Sequence, residues 1–333
     1  MRYIKLGNSK IKTSRLGIGA LHFGIFCNQK QTSKIIHSAI DNGINFIDTS
    51  PLYGNGSSEN FIKNSIINKR NELVISSKVG LKKKLLSDGS WGVKKIKLNE
   101  KNIRLSVESS LKSLGTDYID LFQIHAFDYK TDIEDTYGSL LKLYEEGKIR
   151  EIGCSNHNAQ ELKLVIAITN KMGIKLAASQ NHYNLIERRA ENEISPITKE
   201  NKICFISNRA LARGILSGQY KKVDNIPLKS RAHNSKRIRK LITPEIISLI
   251  AELNLKAKSN GQKLSQLALS WQLDQNYSDL ILLGVRNLKQ LNLSIRSLDF
   301  KNGNSLYREL DKIIFRSNYK KLLYNLPKVF LEK

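Results

Sequence analysis

Apolar and polar positions along the chain follow two alternating rhythms. Short apolar runs of strand length recur at Leu16–Gly19, 45–47, 73–77, 118–124, 149–154, 175–179, 203–207 and Leu280–Leu283, which predicts about eight strands. Longer stretches with helical spacing separate them. In NEKNIRLSVESSLKSLG, Ile103, Val107, Leu111 and Leu114 recur every three or four residues and so share one face. Asn99 predicts the N-cap of that helix and Gly115 its C-terminal stop. Thr131 and Glu134 have the spacing of a capping box, for a helix ending at Gly147. Thr243-Pro244-Glu245 supplies a cap, an N1 proline and a first-turn acid ahead of Ile246, Ile247, Leu249, Ile250 and Leu253.

Strand–helix units in series predict parallel strands joined by right-handed crossovers. About eight such units in 333 residues predict an α/β fold of the (β/α)8 TIM barrel type. An open doubly wound sheet normally places a Gly-rich turn after its first strand, and Gly17-Ile18-Gly19 is only a fragment of that fingerprint. The segment RYIKLGNSKIKTS predicts an N-terminal β-hairpin, turning near Gly7-Asn8, at the barrel floor. No linker, repeat or low-complexity stretch interrupts the pattern, so residues 1–333 read as a single domain.

Composition changes this picture little. The chain carries 55 Lys+Arg against 30 Asp+Glu, a net charge of +25. Charge alone would suit a polyanion. The basic residues are nevertheless spread along the whole length, with the densest cluster in KSRAHNSKRIRK at 229–240. There is no aromatic-interleaved basic helix and no Cys/His finger, so no specific nucleic acid partner is expected. Cys27, Cys154 and Cys204 suggest neither a disulfide framework nor a metal site. The opening MRYIKLGNSK lacks the apolar core of a signal peptide, and no run is long enough to span a bilayer. The expected location is cytoplasmic, with no membrane partner.

Five predicted strands run straight into a polar residue: Asp48, Lys78, His125, Ser155 with Asn156, and Gln180. All strand C-termini of a parallel barrel open on one face, so these side chains are expected to converge. Tyr53 follows five residues after Asp48, in NFIDTSPLYG. A phenol has an ordinary pKa of about 10. The Lys78 ammonium favours the phenolate, Asp48 holds the lysine charged, and His125 can donate to a carbonyl oxygen. The set offers a proton donor and a polarising group without a nucleophile. It suits protonation of an alkoxide as a hydride from a cofactor reaches a carbonyl.

With these residues in place, the chain resembles the aldo-keto reductase family. The similarity runs from KLGNSKIKTSRLGIGALHFG to LLGVRNLKQL, through NFIDTSPLYGNGSSE, VISSKVG, SLKSLGTDYIDLFQIHAFD, LYEEGKIREIGCSN and SQNHYNLIERRAE. It is similar to the branch that includes bacterial sugar, pyridoxal and general aldehyde reductases and potassium-channel β subunits. The resemblance implies a (β/α)8 barrel and reversible nicotinamide-dependent carbonyl reduction, with Asp48, Tyr53, Lys78 and His125 as the catalytic tetrad. It implies that Ser155, Asn156 and Gln180 hold the nicotinamide carboxamide and that Gly19 and Ala20 lie beside the cofactor. It places Leu211, Gly214 and Leu216, in ALARGILSG, at the pyrophosphate. Gly284, Arg286 and Gln290 fall at the adenosine phosphate, where Arg286 favours NADPH over NADH by pairing with the extra charge.

The implied substrate is a small carbonyl or alcohol, sugar-like or otherwise. The alternative is a cofactor-binding regulatory subunit with slow turnover. Two positions depart from the family pattern. Asn208 stands where a large side chain usually stacks on the nicotinamide, with Ala210 in place of the following proline. Ser294 stands where an asparagine is frequent. Residues 80–99 are expected to form a substrate loop, with Trp91 as a wall and Gly89 and Gly92 giving mobility. His22, Phe23 and Tyr129 are further candidates for the pocket lining.

Overall fold

Eight parallel strands close into a barrel in the computed structural model, which describes residues 1–85, 91–228, 230–233 and 235–317. An antiparallel hairpin precedes them, β1 (Tyr3–Lys5) and β2 (Lys12–Ser14). The barrel then runs through β3 (Leu16–Gly19), β4 (Phe46–Asp48) and β5 (Val74–Val79). A second antiparallel pair, β6 (Leu81–Leu85) and β7 (Trp91–Lys95), interrupts it. β8 (Leu121–Ile124), β9 (Ile152–Ser155), β10 (Ala178–His182), β11 (Cys204–Asn208) and β12 (Leu280–Leu283) complete the circle, and β12 pairs with β3 to close it.

The hairpin seals the floor because Leu6 enters the core just before a tightly bent turn. Leu6 is fully buried among Phe46, Val74, Leu121, Ala177, Ala178, Cys204, Ile206, Leu280 and Leu282, with Ile4 and Ile11 packed against this cluster. Gly7 has φ +59°, and a Cβ there would lie 2.3 Å from Ala177 O, so both conformation and space demand glycine.

The predicted strands are all present, but several begin and end later than the apolar runs suggest. Asp48, Lys78, Ser155 and Gln180 are members of β4, β5, β9 and β10 rather than residues that follow them. The stretch after β5 is no plain loop, since β6 and β7 form a ribbon within it. Gly89 and the Trp91 side chain lie outside the described residues.

Helices α1 (Gln29–Asp41), α2 (Ser58–Lys63), α3 (Glu100–Leu114), α4 (Ile133–Glu145), α5 (Ala159–Lys171), α6 (Ala190–Glu193) and α7 (Ser195–Glu200) connect the strands up to β11. The α3 ends match the sequence reading. Asn99 Oδ1 accepts from Asn102 N at 3.0 Å, and Gly115 closes the helix in the left-handed region at φ +61°. Thr131 does not cap α4, because its hydroxyl donates instead to Asp128 Oδ2 at 2.7 Å and Asp132 takes the N-cap position.

The chain divides into two compact units. One holds residues 1–182, 189–208 and 277–291, and therefore the whole barrel. The described part of the other comprises residues 183–188, 209–276 and 292–317. It contains α8 (Lys236–Arg239), α9 (Pro244–Ser259), α10 (Leu264–Asp274) and α12 (Asn304–Arg316), while α11 (Leu288–Ile295) begins in the first unit. Thr243 caps α9 as predicted, accepting from Ile246 N at 3.4 Å. Among the described residues no helix is long and apolar enough to cross a membrane.

Candidate active site

Side chains of a strand alternate between its two faces, so every second residue points into the barrel. Followed upward from the floor, the inward series turns from apolar to polar. Phe46 leads to Asp48, Val74 to Ser76 and Lys78, Leu121 to Gln123, and Ala178 to Gln180. Strand register sets these upper residues side by side: Asp48 opposite Ser76, Lys78 opposite Gln123, and Ser155 opposite Gln180.

Their hydrogen bonds centre on Asp48. Lys78 Nζ donates to both carboxylate oxygens, at 2.6 and 2.7 Å, and to Thr49 O at 2.9 Å. Gln180 Nε2 donates to Asp48 Oδ1 at 2.9 Å, and Ser76 Oγ at 3.2 Å. Gln123 Nε2 donates to Ser76 Oγ at 2.7 Å and reaches Asp48 Oδ1 at 3.5 Å. Gly153 gives Gln123 its room, since a Cβ there would lie 3.2 Å from Gln123 Cγ and 2.8 Å from Ala178 O. Burial pushes the Lys78 pKa down. The Asp48 charge, then that of Tyr53, with hydrogen bonds to both, outweighs burial and holds it above its ordinary value. The lysine is therefore a buried, permanently charged group at neutral pH.

Tyr53 is brought to this charge by the loop that leaves β4. Left-handed backbone at Gly54, Asn55 and Gly56 folds the loop back on itself. A Cβ on Gly54 would stand 2.0 Å from Phe23 O, so the loop is pressed against the segment after β3. Thr49 Oγ1 and Ser58 Oγ lie 3.0 Å apart, and Ser58 Oγ donates to Ala20 O at 3.0 Å, which ties the same two segments. The Tyr53 ring centroid lies 4.9 Å from Lys78 Nζ and 6.0 Å from the His125 ring, edge to face. His125 is buried, and burial, then the Lys78 charge, pushes its pKa well below the ordinary value. It is a neutral imidazole at physiological pH.

The four residues picked from strand ends and the nearby loop thus meet in one place. Around them lie residues that the sequence reading passed over, Ser76 and Gln123 and also Glu59. Glu59 Oε1 accepts from Ser77 Oγ at 2.7 Å. Its burial raises the carboxyl pKa, opposed by the Ser77 hydrogen bond, the nearby Ser110 hydroxyl and the Lys78 charge. Stepping back two positions from Lys78 and from His125 would have found Ser76 and Gln123.

Ser155, Asn156 and Gln180 sit beside the tetrad. Asn156, at φ +58°, donates its amide NH2 to His125 O and to Ser155 Oγ, both at 2.9 Å. Ser155 Oγ donates to Gln180 Oε1 at 3.5 Å, and Asn208 Nδ2 reaches the same oxygen at 3.4 Å. Gly19 ends β3 opposite Asp48, and Ala20 is buried directly after it. Beyond β12, Gly284 is exposed, and a Cβ on it would lie 3.6 Å from His22 Nε2. Gln290 Oε1 accepts from Arg286 N, and Asn287 Oδ1 from Gln290 N, each at 2.9 Å, which braces the start of α11. The Arg286 guanidinium lies 4.0 Å from the Phe26 ring centroid, a cation–π contact that orients it. Phe23 is fully buried. Tyr129 is 70% exposed.

Leu211, Gly214 and Leu216 belong to the second unit. The backbone there is left-handed at Arg209, Ala212, Arg213 and Gly214, and the amides of Gly214 and Leu216 both donate to Leu211 O, at 2.8 and 3.2 Å. Arg213 is buried against Glu187, with Nη1 donating to Oε1 at 2.9 Å. Three non-glycine residues in the left-handed region within five positions mark a loop held against its preference, a feature that collects at functional sites.

Comparison with known proteins agrees with this architecture. The sequence profile described as the Aldo/keto reductase family matches residues 15–314. The aldo-keto reductase YhdN of Bacillus subtilis is 32% identical over 300 residues, spanning 87% of each chain. An L-glyceraldehyde 3-phosphate reductase of Escherichia coli is 28% identical, covering 90% of this chain and 88% of its own. The solved structure of a glycerol dehydrogenase from Gluconobacter oxydans superposes with a TM-score of 0.81 at 27% identity, over 95% of this chain and 96% of that one.

Proposed function

The chain belongs to the aldo/keto reductase family, and from that premise we propose that it reduces an aldehyde or ketone with NADPH, Tyr53 giving the proton. Members of the family are oxidoreductases that act on carbonyl or alcohol groups with nicotinamide cofactors. One observation carries the finer reading: the Lys78 ammonium, clamped by both oxygens of Asp48, lies 4.9 Å from the Tyr53 ring. A buried cation whose pKa is held above its ordinary value makes the phenol beside it a stronger acid.

The chemistry follows from what each residue does. The nicotinamide, when bound, supplies a hydride to the carbonyl carbon. Tyr53 donates its hydroxyl proton to the carbonyl oxygen as negative charge grows there, and the phenolate left behind is stabilised by Lys78. Asp48 keeps Lys78 charged and aimed. His125, neutral, offers an N–H to the same oxygen and orients the carbonyl without competing as an acid. Alcohol oxidation runs through the same proton in reverse.

The residues on hand fit the dinucleotide. Asn156 commits its NH2 to His125 O and Ser155 Oγ, so its carbonyl faces the task of accepting from the carboxamide, together with Ser155 and Gln180. Gln180 also touches Asp48, which links the cofactor end of the site to the catalytic carboxylate. Gly19 and Ala20 lie beside the cofactor at the first barrel strand. The family resemblance alone assigns Leu211, Gly214 and Leu216 to the pyrophosphate. Gly284, Arg286 and Gln290 serve the adenosine phosphate, where Arg286 selects NADPH.

The test is Tyr53→Phe. Carbonyl reduction should fall by about 10²–10⁴-fold, the usual contribution of a positioned acid, while the NADPH dissociation constant, read by cofactor fluorescence, stays close to that of the native protein. Native-like turnover in the variant would remove Tyr53 as the acid. Tight cofactor binding by the native protein with no turnover of a broad carbonyl panel would return the regulatory reading instead.

A further inference from the structure

The β6–β7 hairpin grows directly from the strand that carries Lys78, and it is rich in lysine. Lys82, Lys83 and Lys84 lie on one strand, Lys94 and Lys95 on the other. Antiparallel pairing sorts them onto two faces. Lys82 stands opposite Lys94 and Lys84 opposite Gly92 on the outer face, where all three lysines are exposed. Leu81 opposite Lys95 and Lys83 opposite Val93 share the inner, less exposed face. Like charges directly opposite each other weaken a ladder, so hairpin stability does not account for this composition.

The two inner lysines are fastened to the two catalytic loops. Lys83 Nζ donates to Asn55 Oδ1 at 2.8 Å, two residues beyond Tyr53. Lys95 Nζ donates to Phe127 O at 2.8 Å, two residues beyond His125, and lies 5.2 Å from the Tyr129 ring centroid. The root of the hairpin is fixed on the same side by Ile96 N to Gly80 O and by Leu98 N to Asp128 Oδ2, each at 3.0 Å. The Asp128 carboxylate also accepts from Lys130 N and Thr131 Oγ1. Each ammonium is therefore bonded to the residue two positions along the chain from Tyr53 or His125, the two side chains proposed to address the carbonyl oxygen. The Cα atoms of Asn55 and Phe127 lie within about 7 Å of those of Tyr53 and His125, which keeps both anchors on the segments that carry the proposed acid and the proposed carbonyl donor.

We propose that Lys83 and Lys95 form a cationic rim that selects carbonyl substrates carrying a carboxylate or phosphate group away from the reacting carbon. The proposal rests on the reductase reading and narrows it to anionic aldehydes and ketones. Ammonium groups held in place bind such anions through charge-assisted hydrogen bonds. They also draw negatively charged substrates to the mouth.

The test compares kcat/KM with NADPH for matched pairs. 4-Carboxybenzaldehyde and 4-carbamoylbenzaldehyde differ in charge at constant shape, and glyceraldehyde 3-phosphate with glyceraldehyde supplies the phosphate arm. The anion should be preferred about tenfold or more in at least one pair, about 1.4 kcal/mol, and the pair that shows it assigns the carboxylate or the phosphate. The preference should shrink toward unity in Lys83→Met/Lys95→Met and persist in Lys94→Met, on the outer face. No preference in either pair overturns the proposal. So does a preference that survives the double substitution, or one lost equally in Lys94→Met, which would place it in diffuse charge. Calorimetric binding of terephthalate to the NADP⁺-loaded protein separates the two readings. Binding that needs Lys83 and Lys95 without turnover of any aldehyde sinks the reductase reading and keeps the rim. Turnover without anion preference does the reverse, and absence of both turnover and binding sinks both.

Discussion

Asp48→Asn preserves the shape of the side chain and removes its charge, so it isolates what the carboxylate does for Lys78. The lysine side chain is wholly buried, and both of its contacts to Asp48 are short, at 2.6 and 2.7 Å. Removing one partner of a buried pair leaves an uncompensated charge and costs about 3–5 kcal/mol. That is a large share of the roughly 5–15 kcal/mol that holds a folded protein together. The asparagine adds a second penalty. Asp48 accepts from Lys78, Gln180 and Ser76, and an amide must turn its NH2 toward one of these donors.

The pH dependence gives the sharper test. In the native protein the interactions with Asp48 and Tyr53 outweigh burial, so the folded pKa of Lys78 stands above the unfolded one. Stability from this source is fully present below the unfolded pKa and is lost only as pH rises through the folded value. In the variant burial prevails, and the folded pKa drops below the unfolded value of about 10.4. Between those two values the unfolded lysine binds a proton that the folded one does not, so stability of the variant rises with pH. The gap between native protein and variant should therefore narrow from pH 7 to 9, by at most about 1.4 kcal/mol per unit. Urea unfolding followed by circular dichroism at matched ionic strength reads it, with equal slopes in both proteins as the control. A gap that stays constant or widens toward pH 9 would show that Asp48 is not what keeps Lys78 charged.

Two further outcomes are expected. Arg286→Ala should weaken NADPH by about tenfold or more, the worth of a charge-assisted hydrogen bond, and NADH far less. Equal losses for the two cofactors, measured by fluorescence titration, would remove the 2′-phosphate contact. Gly7→Ala forces a Cβ to within 2.3 Å of Ala177 O at φ +59°. It should cost about 1–3 kcal/mol and lower the thermal midpoint while leaving kcat/KM unchanged, because the turn lies at the barrel floor. An undisturbed midpoint would mean that the floor hairpin is not held as tightly as its packing implies.

Much of the barrel is legible in the sequence because its strands are short, buried but for an end residue in three of them, and bounded by helices with strong end signals. Leu16–Gly19 and Leu280–Leu283 are single apolar runs, and their bounds match the structure. Asn99, Gly115 and Thr243 act at helix ends as their residue types predict. Thr131 fails as a cap because Asp128, three residues earlier, competes for its hydroxyl with a charged acceptor. The ribbon of β6 and β7 is illegible for a related reason. Five of its residues are lysines, and nothing apolar and periodic announces a strand whose outer face is solvent.

The strand bounds that went astray explain why part of the site was missed. An apolar run ends where side chains turn polar, but a strand ends where its ladder does. In a barrel whose mouth is polar, these are different places. β5 continues through Lys78 to Val79, and β10 through Gln180 to His182. A polar residue read as the first of a loop is thus the last of an inward series with a period of two. Read that way, Lys78 points back to Ser76 and His125 to Gln123, and both prove to be hydrogen-bonded into the Asp48 cluster. The same period accounts for the glycine at 153, where a Cβ would lie 2.8 Å from Ala178 O and crowd Gln123 Cγ at 3.2 Å. Lys78 and Asp48 are therefore the visible top of a polar layer that begins one step lower, inside the strands. Its lower members are hidden because a single buried Ser or Gln, met alone in an apolar run, looks like an ordinary interruption of the core.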